Sequence, residues 1–416
     1  MNDKEVMVQK YGGSSIANLE KMGKVAEYIK KTKESGKKIV VVVSAMGDTT
    51  DELIKLAEAA YGGELSPEEE LQDEQNKLLV TGEEQSAPLL ALSLRRLGVP
   101  AVSLTSREIV LETDTSGKVK MVKGISKIES LLEQDRVPVV TGFQGIKETT
   151  RKVTILGRGG SDITAVSLAA SLGQKCCENY TDVDGIYATD PRVIPRAKRF
   201  DQISYYQLIE LAAAGGGKLN DRAVILAQNL GIEIKVLLSP SFGESTGGTR
   251  VCSCSTLERM ESCESQPGLA IQKLKLIRIS NIPNESGMAE KIFGPLEKIN
   301  LVSAIQAPAG KKAEISLSCL PKFSTPILSI LKEVKKIALP DIEISEPLEV
   351  AELTLVDPLM GEHPGYLARV SRAMKRAGVN IESISSPGIT IAVIVKEADL
   401  PKAAQVLAEE FELITQ

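Results

Sequence analysis

Near the N-terminus, a lysine and two glycines directly follow a short apolar strand, in the stretch VQKYGGSS (residues 8–15). Apolar residues recur at helical spacing from Ile16 to Ile29, which predicts a helix behind this loop. Glycines allow close backbone approach, the serines can cap the helix, and its free N–H groups attract an anion. The lysine precedes the glycines, whereas in a Walker A loop it follows them. The stretch indicates a phosphate site at Lys10; the alternative is a tight strand-to-helix turn with an ordinary surface lysine.

A second glycine loop, LGRGGSDITAV (residues 156–166), follows the predicted strand Val153–Leu156. Either Ser161 or Asp162 is expected to cap the helix that comes next. Arg158 lies between glycines and carries a planar fork suited to bidentate carboxylate binding. The loop therefore indicates a carboxylate or phosphate site, and a flexible strand-to-helix turn is the alternative.

Two further stretches carry groups for other parts of a substrate. In TDVDGIYATDPR (residues 181–192), Tyr187 could stack on a base and Arg192 could contact phosphates, although an Asp-rich turn would look similar. In VTGEEQSA (residues 80–87), Glu83 lies beside a predicted helix start and could bind an ammonium group. Taken alone, that glutamate is more simply part of a solvated acidic pair.

Composition limits the class of protein. A chain of 416 residues suggests roughly three domains. The net charge of −5 with scattered lysines argues against a nucleic-acid partner. No apolar run approaches the roughly 20 residues that cross a bilayer, and MNDKEVMV lacks the apolar segment of a signal peptide. The sequence therefore predicts a cytoplasmic protein without a membrane partner.

Histidine and cysteine usage argues against a metal site. The single histidine, His363, excludes multi-histidine sites and argues against Ser–His or Cys–His catalysis. Cys252, Cys254 and Cys263 have no nearby fourth ligand for tetrahedral zinc, which remains the minor alternative. We expect free thiols in a reducing compartment and no metal bound by the protein alone.

Residues 1–250 alternate apolar strand-like runs with amphipathic helical segments. Ile39–Val43 is apolar throughout, as in a strand buried on both faces, and RVPVVTGFQG, KVTILGRGGSD and IEIKVLLS repeat the theme. Helical patterns over Ile163–Leu172 and Tyr205–Ala213 lie between them. This order predicts an α/β fold with a mostly parallel sheet and helices on both faces. Ligands bind at the carboxyl ends of such strands, where four loops are expected: Lys10–Ser15, Ser44–Thr50, Gly157–Asp162 and Thr181–Arg192.

The C-terminal part has a different organisation. Residues 251–269 are rich in Ser, Cys and Glu and are interpreted as a linker. Beyond them, INLVSAI (299–305) and VNIESIS (379–385) form a weak repeat, each after a helical and before a strand-like segment. This predicts two ferredoxin-like α+β modules, at 270–345 and 346–416. A small-ligand sensor is the favoured interpretation, and a structural duplication is the alternative.

Together, the loops contain the groups of a kinase that lacks a P-loop. Phosphoryl transfer needs charge neutralisation and alignment more than covalent chemistry. An alcohol acceptor would require a general base, whereas a carboxylate with a pKa of roughly 4 is already ionised at neutral pH. The near absence of histidine fits a carboxylate acceptor.

Six stretches, in this order, resemble the aspartate kinase family of the amino-acid-kinase superfamily: VQKYGGSS, VVVSAMGDTTDEL, GFQG, LGRGGSD, YTDVDGIYATDPR and ELAAAGGGK. EHPGYLARVSRAMKRAGVNIESIS resembles the regulatory ACT module of that family. The resemblance implies transfer of the γ-phosphoryl group of ATP to the β-carboxylate of L-aspartate, giving 4-phospho-L-aspartate. This reaction begins the biosynthesis of aspartate-derived amino acids.

The resemblance also implies residue roles. Lys10 would neutralise the transferred phosphoryl group, and Asp162 would orient Lys10 without abstracting a proton. The implied aspartate pocket contains Ser44, Thr50, Glu83, Arg158, Gly159, Gly160 and Ser161. The implied ATP site contains Gly12, Gly13, Thr181, Asp182, Tyr187, Asp190, Arg192 and Lys218. Mg²⁺ would accompany ATP with few protein ligands.

Several positions depart from the family pattern. Lys218 lies one position late, and Glu84 replaces an arginine that commonly follows the substrate-binding glutamate. In the first ACT module, Asn281–Gly287 replaces the usual Asp-x-Pro-Gly turn, and Gln306–Ala307 replaces a Gln-Asn pair. The implied effector is lysine or threonine, at a site containing Asn281, Gly287 and Gln306. We expect weakened or altered feedback, in a homodimer or higher homo-oligomer formed through the ACT modules.

Two alternatives remain at this point. One is another amino-acid kinase that acts on a related carboxylate, and Glu83 with Arg158 argues against it because together they require an α-amino acid. The other is a kinase-inactive amino-acid sensor, against which the presence of Lys10 and Asp162 argues.

Overall fold

The chain divides into two units. The first contains residues 1–187, 199–213 and 217–264, and the second contains residues 188–198, 214–216 and 265–416. The computed structural model describes residues 6–66, 68–157, 159–216, 219–244, 247–253, 266–361 and 363–415. Two short segments that lie between parts of the first unit in the sequence, 188–198 and 214–216, thus belong to the second unit.

The first unit alternates strands and helices. Its strands are β1 (Val6–Tyr11), β2 (Lys38–Val43), β3 (Ala101–Leu104), β4 (Val110–Thr113), β5 (Val119–Lys123), β6 (Val137–Thr141), β7 (Gln144–Lys147), β8 (Val153–Ile155), β9 (Cys176–Thr181), β10 (Gln202–Ser204), β11 (Glu233–Leu238) and β12 (Thr249–Cys252). Its helices are α1 (Leu19–Glu34), α2 (Thr49–Tyr61), α3 (Glu69–Leu79), α4 (Thr81–Arg96), α5 (Ile125–Glu133), α6 (Gly160–Ser171), α7 (Tyr205–Ala213) and α8 (Asp221–Leu230).

The larger sheet of this unit has the strand order β10-β12-β11-β9-β1-β2-β6-β3. The pairs from β11 through β3 are parallel, and β12 runs antiparallel to β11. This confirms the predicted α/β fold with a mostly parallel sheet. Because β1, β2 and β9 are adjacent and parallel, the loops that follow them leave the same edge of the sheet.

The core of the first unit lies where helices cover the central strands. Residues 39–43 of β2 are all buried, as their continuous apolar run predicts. On one face, α1 and α4 contribute apolar side chains such as Met22, Ile29 and Leu90 to a cluster with alternate residues of β2. On the other face lies α6, which is buried from Gly160 to Ala169. Helices on both faces fix the central strands whose ends carry the predicted site.

The predicted strand Val153–Leu156 does not belong to the larger sheet. The observed strand β8 pairs antiparallel with β7, in a smaller sheet of order β5-β4-β7-β8. An apolar run alone does not specify its partner, and here the short loop between β7 and β8 makes a local antiparallel pair available. The chain reaches α6 directly from this smaller sheet.

The expected helix caps were wrong at both glycine loops. Ser14 and Ser15 lie in a 3₁₀ turn, Gly13–Ile16, and the side chain of Asn18 caps α1 instead. At α6 the N-cap is Gly159, and no side chain caps that helix end. Both loops leave backbone N–H groups without a side-chain cap, which is the condition for anion binding at a helix start.

The second unit contains the C-terminal strands and helices. These are β13 (Gly268–Pro283), β14 (Ser303–Ala309), β15 (Lys312–Cys319), β16 (Glu343–Ile344), β17 (Leu348–Val356), β18 (Ser383–Ser385) and β19 (Thr390–Lys396), with α9 (Met288–Phe293), α10 (Ser324–Ile337), α11 (Tyr366–Ala377) and α12 (Leu400–Glu410).

One continuous sheet joins the two C-terminal repeats, in the order β14-β15-β13-β17-β19-β18 with β16 also on β13. The long strand β13 makes this possible, since residues 268–276 pair with β17 and residues 275–283 pair with β15. The predicted repeat is visible in the corresponding strands β14 and β18, which begin at Ser303 and Ser383. Across the described part of the chain, no helix combines the length and apolar character needed to cross a bilayer.

Candidate active site

A buried ion pair lies at the centre of the site. Lys10, the penultimate residue of β1, places its Nζ 2.6 Å from Oδ1 of Asp162 in the first turn of α6. The two side chains are only 10% and 7% exposed. A buried charge is stable only when it is paired, so each of these groups fixes the other. The sequence predicted both residues, and the fold brings them into contact.

Asn179 of β9 is a third polar residue at this pair, and no sequence motif indicated it. Its Nδ2 donates to Asp162 Oδ1 at 3.0 Å. Only the register of β9 against β1, which places Asn179 opposite Lys10, reveals the connection.

The first glycine loop is held close to its neighbours by backbone contacts. Gly12 N–H donates to the carbonyl of Tyr180, and Gly47 N–H donates to the carbonyl of Gly13. A Cβ on Gly13 would lie 2.7 Å from the carbonyl oxygen of Ala45, so the loop accepts only glycine there. A Cβ on Gly12 would lie 3.7 Å from Lys10 Nζ. The loop therefore lies directly beside the ammonium group of Lys10.

Ser44 and Ser161 meet from two different elements. Ser44 follows β2 and Ser161 lies in the first turn of α6, and their hydroxyl oxygens are 2.7 Å apart. Ser86 of α4 donates to the backbone carbonyl of Ser44. A Cβ on Gly142 would lie 2.6 Å from that of Ser161, so this glycine makes room for the serine.

Thr50, another residue of the implied aspartate pocket, lies at the second position of α2 and is half-buried.

Glu83 is a buried carboxylate in the first turn of α4. It is 2% exposed, and its Oε1 accepts a hydrogen bond from Ala45 N at 3.0 Å. Within the described part of the chain, Oε2 is buried without a hydrogen-bond partner. Burial raises the pKa of Glu83 to about 7. The expectation that this glutamate is more simply solvated was therefore wrong, and its free oxygen can accept a bond from a ligand.

The second glycine loop is positioned by two residues outside it. Gly159 has a φ of 66°, and a Cβ there would lie 2.4 Å from that of Asn220. Arg222 of α8 donates to the carbonyl of Leu156 at 2.7 Å, and a second nitrogen donates to the carbonyl of Gly117. Arg222 thus fixes the start of the loop.

Arg158 lies outside the described residues, as does Lys218.

The stretch 181–192 is divided between the two units. In the first unit, Thr181 donates to Asp182 at 3.0 Å, and Asp184 accepts from Tyr187 and from Arg199. In the second unit, Asp190 and Arg192 form a bidentate pair with Nη2–Oδ2 at 2.7 Å. The guanidinium fork of Arg192 therefore contacts Asp190 in this state.

Among the described residues, no group of histidine, cysteine and acidic side chains could hold a metal ion. The thiols of Cys176, Cys177 and Cys319 are free, and burial raises the pKa of the Cys177 thiol well above its usual value. Cys254 and Cys263 lie outside the described residues, so the structure does not test the C-x-C-x8-C alternative.

The residues expected at an effector site lie in the second unit. Asn281 interrupts β13 at a bulge with a φ of 62°, and its side chain donates to the carbonyl of Asp341. Gly287 is the N-cap of α9, and Gln306 is an exposed residue of β14. Glu362, the first residue of the stretch that resembles an ACT module, is outside the described residues.

Comparison with known proteins gives the family. Residues 5–237 match the model of the amino acid kinase family, and residues 353–411 match an ACT domain. The aspartokinase of Corynebacterium efficiens is 36% identical over 98% of this chain and 96% of its own. The chain belongs to the aspartokinase family. A Pseudomonas fluorescens aspartate kinase is 34% identical over 98% of both chains. The crystal structure of Clostridium acetobutylicum aspartate kinase superposes with a TM-score of 0.78 and 25% identity, covering 98% of this chain and 100% of that one.

Gly13→Ala tests whether this aspartokinase-family site depends on the close backbone approach of its first loop. The added methyl group would collide with the Ala45 carbonyl, so the loop must move away from Lys10. We expect kcat to fall by at least about 100-fold, because a misplacement of roughly 1 Å at a reacting centre can cost that much. The matched control is Gly23→Ala in α1, where the nearest atom outside the neighbouring backbone of the helix, in the Arg96 side chain, lies 3.9 Å from the new Cβ. Near-normal turnover of Gly13→Ala would contradict the role of this loop.

Proposed function

We propose that the protein transfers the γ-phosphoryl group of ATP to the β-carboxylate of L-aspartate, the activity of an aspartate kinase. The observation that carries this proposal is the buried Lys10–Asp162 pair at the shared edge of β1, β2 and β9. The pair holds the Lys10 ammonium group beside the first glycine loop, and a fixed donor at that place suits a phosphoryl group in transfer.

Lys10 is proposed to neutralise negative charge on the transferred group. Its ammonium group already contacts Asp162, so it needs little reorganisation when the reaction occurs. Asp162 holds that ammonium group in place. The β-carboxylate of aspartate is ionised at neutral pH and attacks without losing a proton. No general base is therefore required.

Recognition of aspartate is proposed to use charges of both signs. The partner-free Oε2 of Glu83 suits the α-ammonium group, since an ammonium ion presents three donors. Arg158 is proposed to bind the α-carboxylate, together with the start of α6 at Gly159, Gly160 and Ser161. Ser44 is hydrogen-bonded to Ser161, and both hydroxyls can turn toward a ligand.

ATP is proposed to bind along the first glycine loop and the stretch after β9. Gly13 would provide a backbone N–H group for phosphates, and Gly12, whose own N–H donates to the Tyr180 carbonyl, would let the backbone approach closely. Thr181, Asp182 and Tyr187 are proposed to contact the nucleotide. Asp190, Arg192 and Lys218 complete the proposed set. Mg²⁺ would be held mainly by the phosphates of ATP, since this ion keeps most of its waters and takes few protein ligands.

Control is proposed to reside in the second unit. Lysine or threonine would bind near Asn281, Gly287 and Gln306, and such a ligand acts only if it binds two states unequally. The Asn281 side chain is engaged with the Asp341 carbonyl, which fits the proposal of weak or altered feedback. Pairing of second units would give a homo-oligomer.

The direct experiment is an assay with ATP, Mg²⁺ and L-aspartate, in which hydroxylamine traps the acyl phosphate as a hydroxamate. We expect product from L-aspartate and little from succinate, because succinate lacks the ammonium group that Glu83 would bind. Lysine and threonine, singly and together, are added to the same assay. Faster reaction with another carboxylate would favour a related amino-acid kinase, and no reaction at all would favour a sensor without kinase activity.

The pH dependence of aspartate use follows from the raised pKa of Glu83. Its ordinary value is 4.5 and burial raises it to about 7, so the free enzyme binds the ammonium group poorly once Glu83 is protonated. We expect kcat/KM for aspartate to fall below about pH 7, approaching about tenfold per pH unit, because kcat/KM reports groups of the free enzyme.

Two variants distinguish this titration from others. Glu83→Gln should lower kcat/KM for aspartate at neutral pH and abolish its fall below about pH 7. Glu84→Gln, one residue further along α4, should keep that fall. If the fall of kcat/KM were unchanged in Glu83→Gln, another group would be responsible for it.

A further inference from the structure

Asn179 occupies a position that neither the sequence motifs nor the proposed function accounts for. In the register of the larger sheet, Asn179 of β9 lies directly opposite Lys10 of β1. Paired residues of neighbouring strands project from the same face, so both side chains face α6. Asn179 is 5% exposed. A buried amide at this point requires a polar partner.

That partner is Asp162. Asn179 Nδ2 lies 3.0 Å from Asp162 Oδ1, the same oxygen that lies 2.6 Å from Lys10 Nζ. An ionised carboxylate can only accept hydrogen bonds, so the amide nitrogen must be the atom that faces it. One carboxylate oxygen therefore receives a donor from each of the two neighbouring strands.

The other end of the Asn179 side chain argues against a purely structural role. Among the described residues, its Oδ1 is buried and has no hydrogen-bond partner. A buried polar atom without a partner destabilises the folded state. An apolar side chain of similar size would avoid this cost, so stability alone does not explain an asparagine here.

We propose that Asn179 is a positioning residue for phosphoryl transfer. Its amide fixes the Asp162 carboxylate from the side opposite α6, and the fixed carboxylate holds the Lys10 ammonium group at the glycine loop. Without the amide, Lys10 would be the only described side chain bonded to that oxygen, and the pair could shift together. The inference rests on the proposed role of Lys10 in the reaction.

The test is Asn179→Leu in the full chain, assayed with ATP and L-aspartate. We expect kcat to fall about 10- to 100-fold, the usual effect of removing a partner one contact away from a functional group. KM for both substrates should stay nearly unchanged, since the interaction serves the transition state. The control is Cys177→Ala, which removes another buried side chain from the same face of β9 and should leave kcat near the wild-type value.

A double-mutant cycle with Asp162→Asn separates positioning from general loosening of the strand. If Asn179 acts through Asp162, adding Asn179→Leu to Asp162→Asn should change kcat by no more than about twofold. The proposal would be overturned if the fold-losses in kcat of the two single variants multiplied in the double variant. A normal kcat in folded Asn179→Leu would overturn it as well. If the leucine variant does not fold, Asn179→Ser is used in the same cycle. An inactive wild-type protein would instead refute the proposed function.

Discussion

A lysine ammonium group buried at the end of a central strand is costly unless a carboxylate lies against it, and in this chain that carboxylate is Asp162. Removing one partner of such a pair typically costs about 3–5 kcal/mol, because the other charge is left buried and alone. The strand that carries Lys10 and the helix that carries Asp162 are therefore tied to each other. Ser161, which neighbours Asp162, is fixed with them and brings its hydroxyl to Ser44.

The fold satisfies this constraint with parallel strands and small residues. Parallel pairing brings the ends of β1, β2 and β9 to one edge, and α6 begins there because the chain arrives from the smaller sheet. On the face opposite α6, Tyr180 donates to Glu178 and Gln9 also donates to it, which joins β1 to β9 a second time. Burial raises the pKa of Tyr180, so its hydroxyl remains a donor. Side-chain hydrogen bonds on both faces of the sheet thus stabilise the pairing of β1 with β9.

The fold class and the glycine loops with Lys10 could be predicted from the sequence, because each belongs to a local pattern of apolar run, glycine and charge. The local pattern gave Asp162 only as a possible helix cap, and its place beside Lys10 was implied by the family resemblance. The sheet to which Val153–Ile155 belongs could not be predicted, since an apolar run does not determine which strand it pairs with. Asn179 and Arg222 were missed for a related reason. Each acts through a residue distant in sequence, at Asp162 and at Leu156, and only strand register and helix packing bring those residues together. Glu83 was undervalued because burial, which raises its pKa, is a property of the folded chain.

The most direct test of this account is the turnover of Lys10→Ala, measured beside Lys24→Ala, which changes an exposed lysine of α1. We predict that Lys10→Ala lowers kcat by at least about 10²- to 10³-fold, the loss typical of removing one preorganised charge-stabilising donor. Combining it with Asp162→Asn removes the unpaired buried charge, so stability should recover while turnover does not. Near-normal turnover of Lys10→Ala in a folded protein would contradict the central role of the pair.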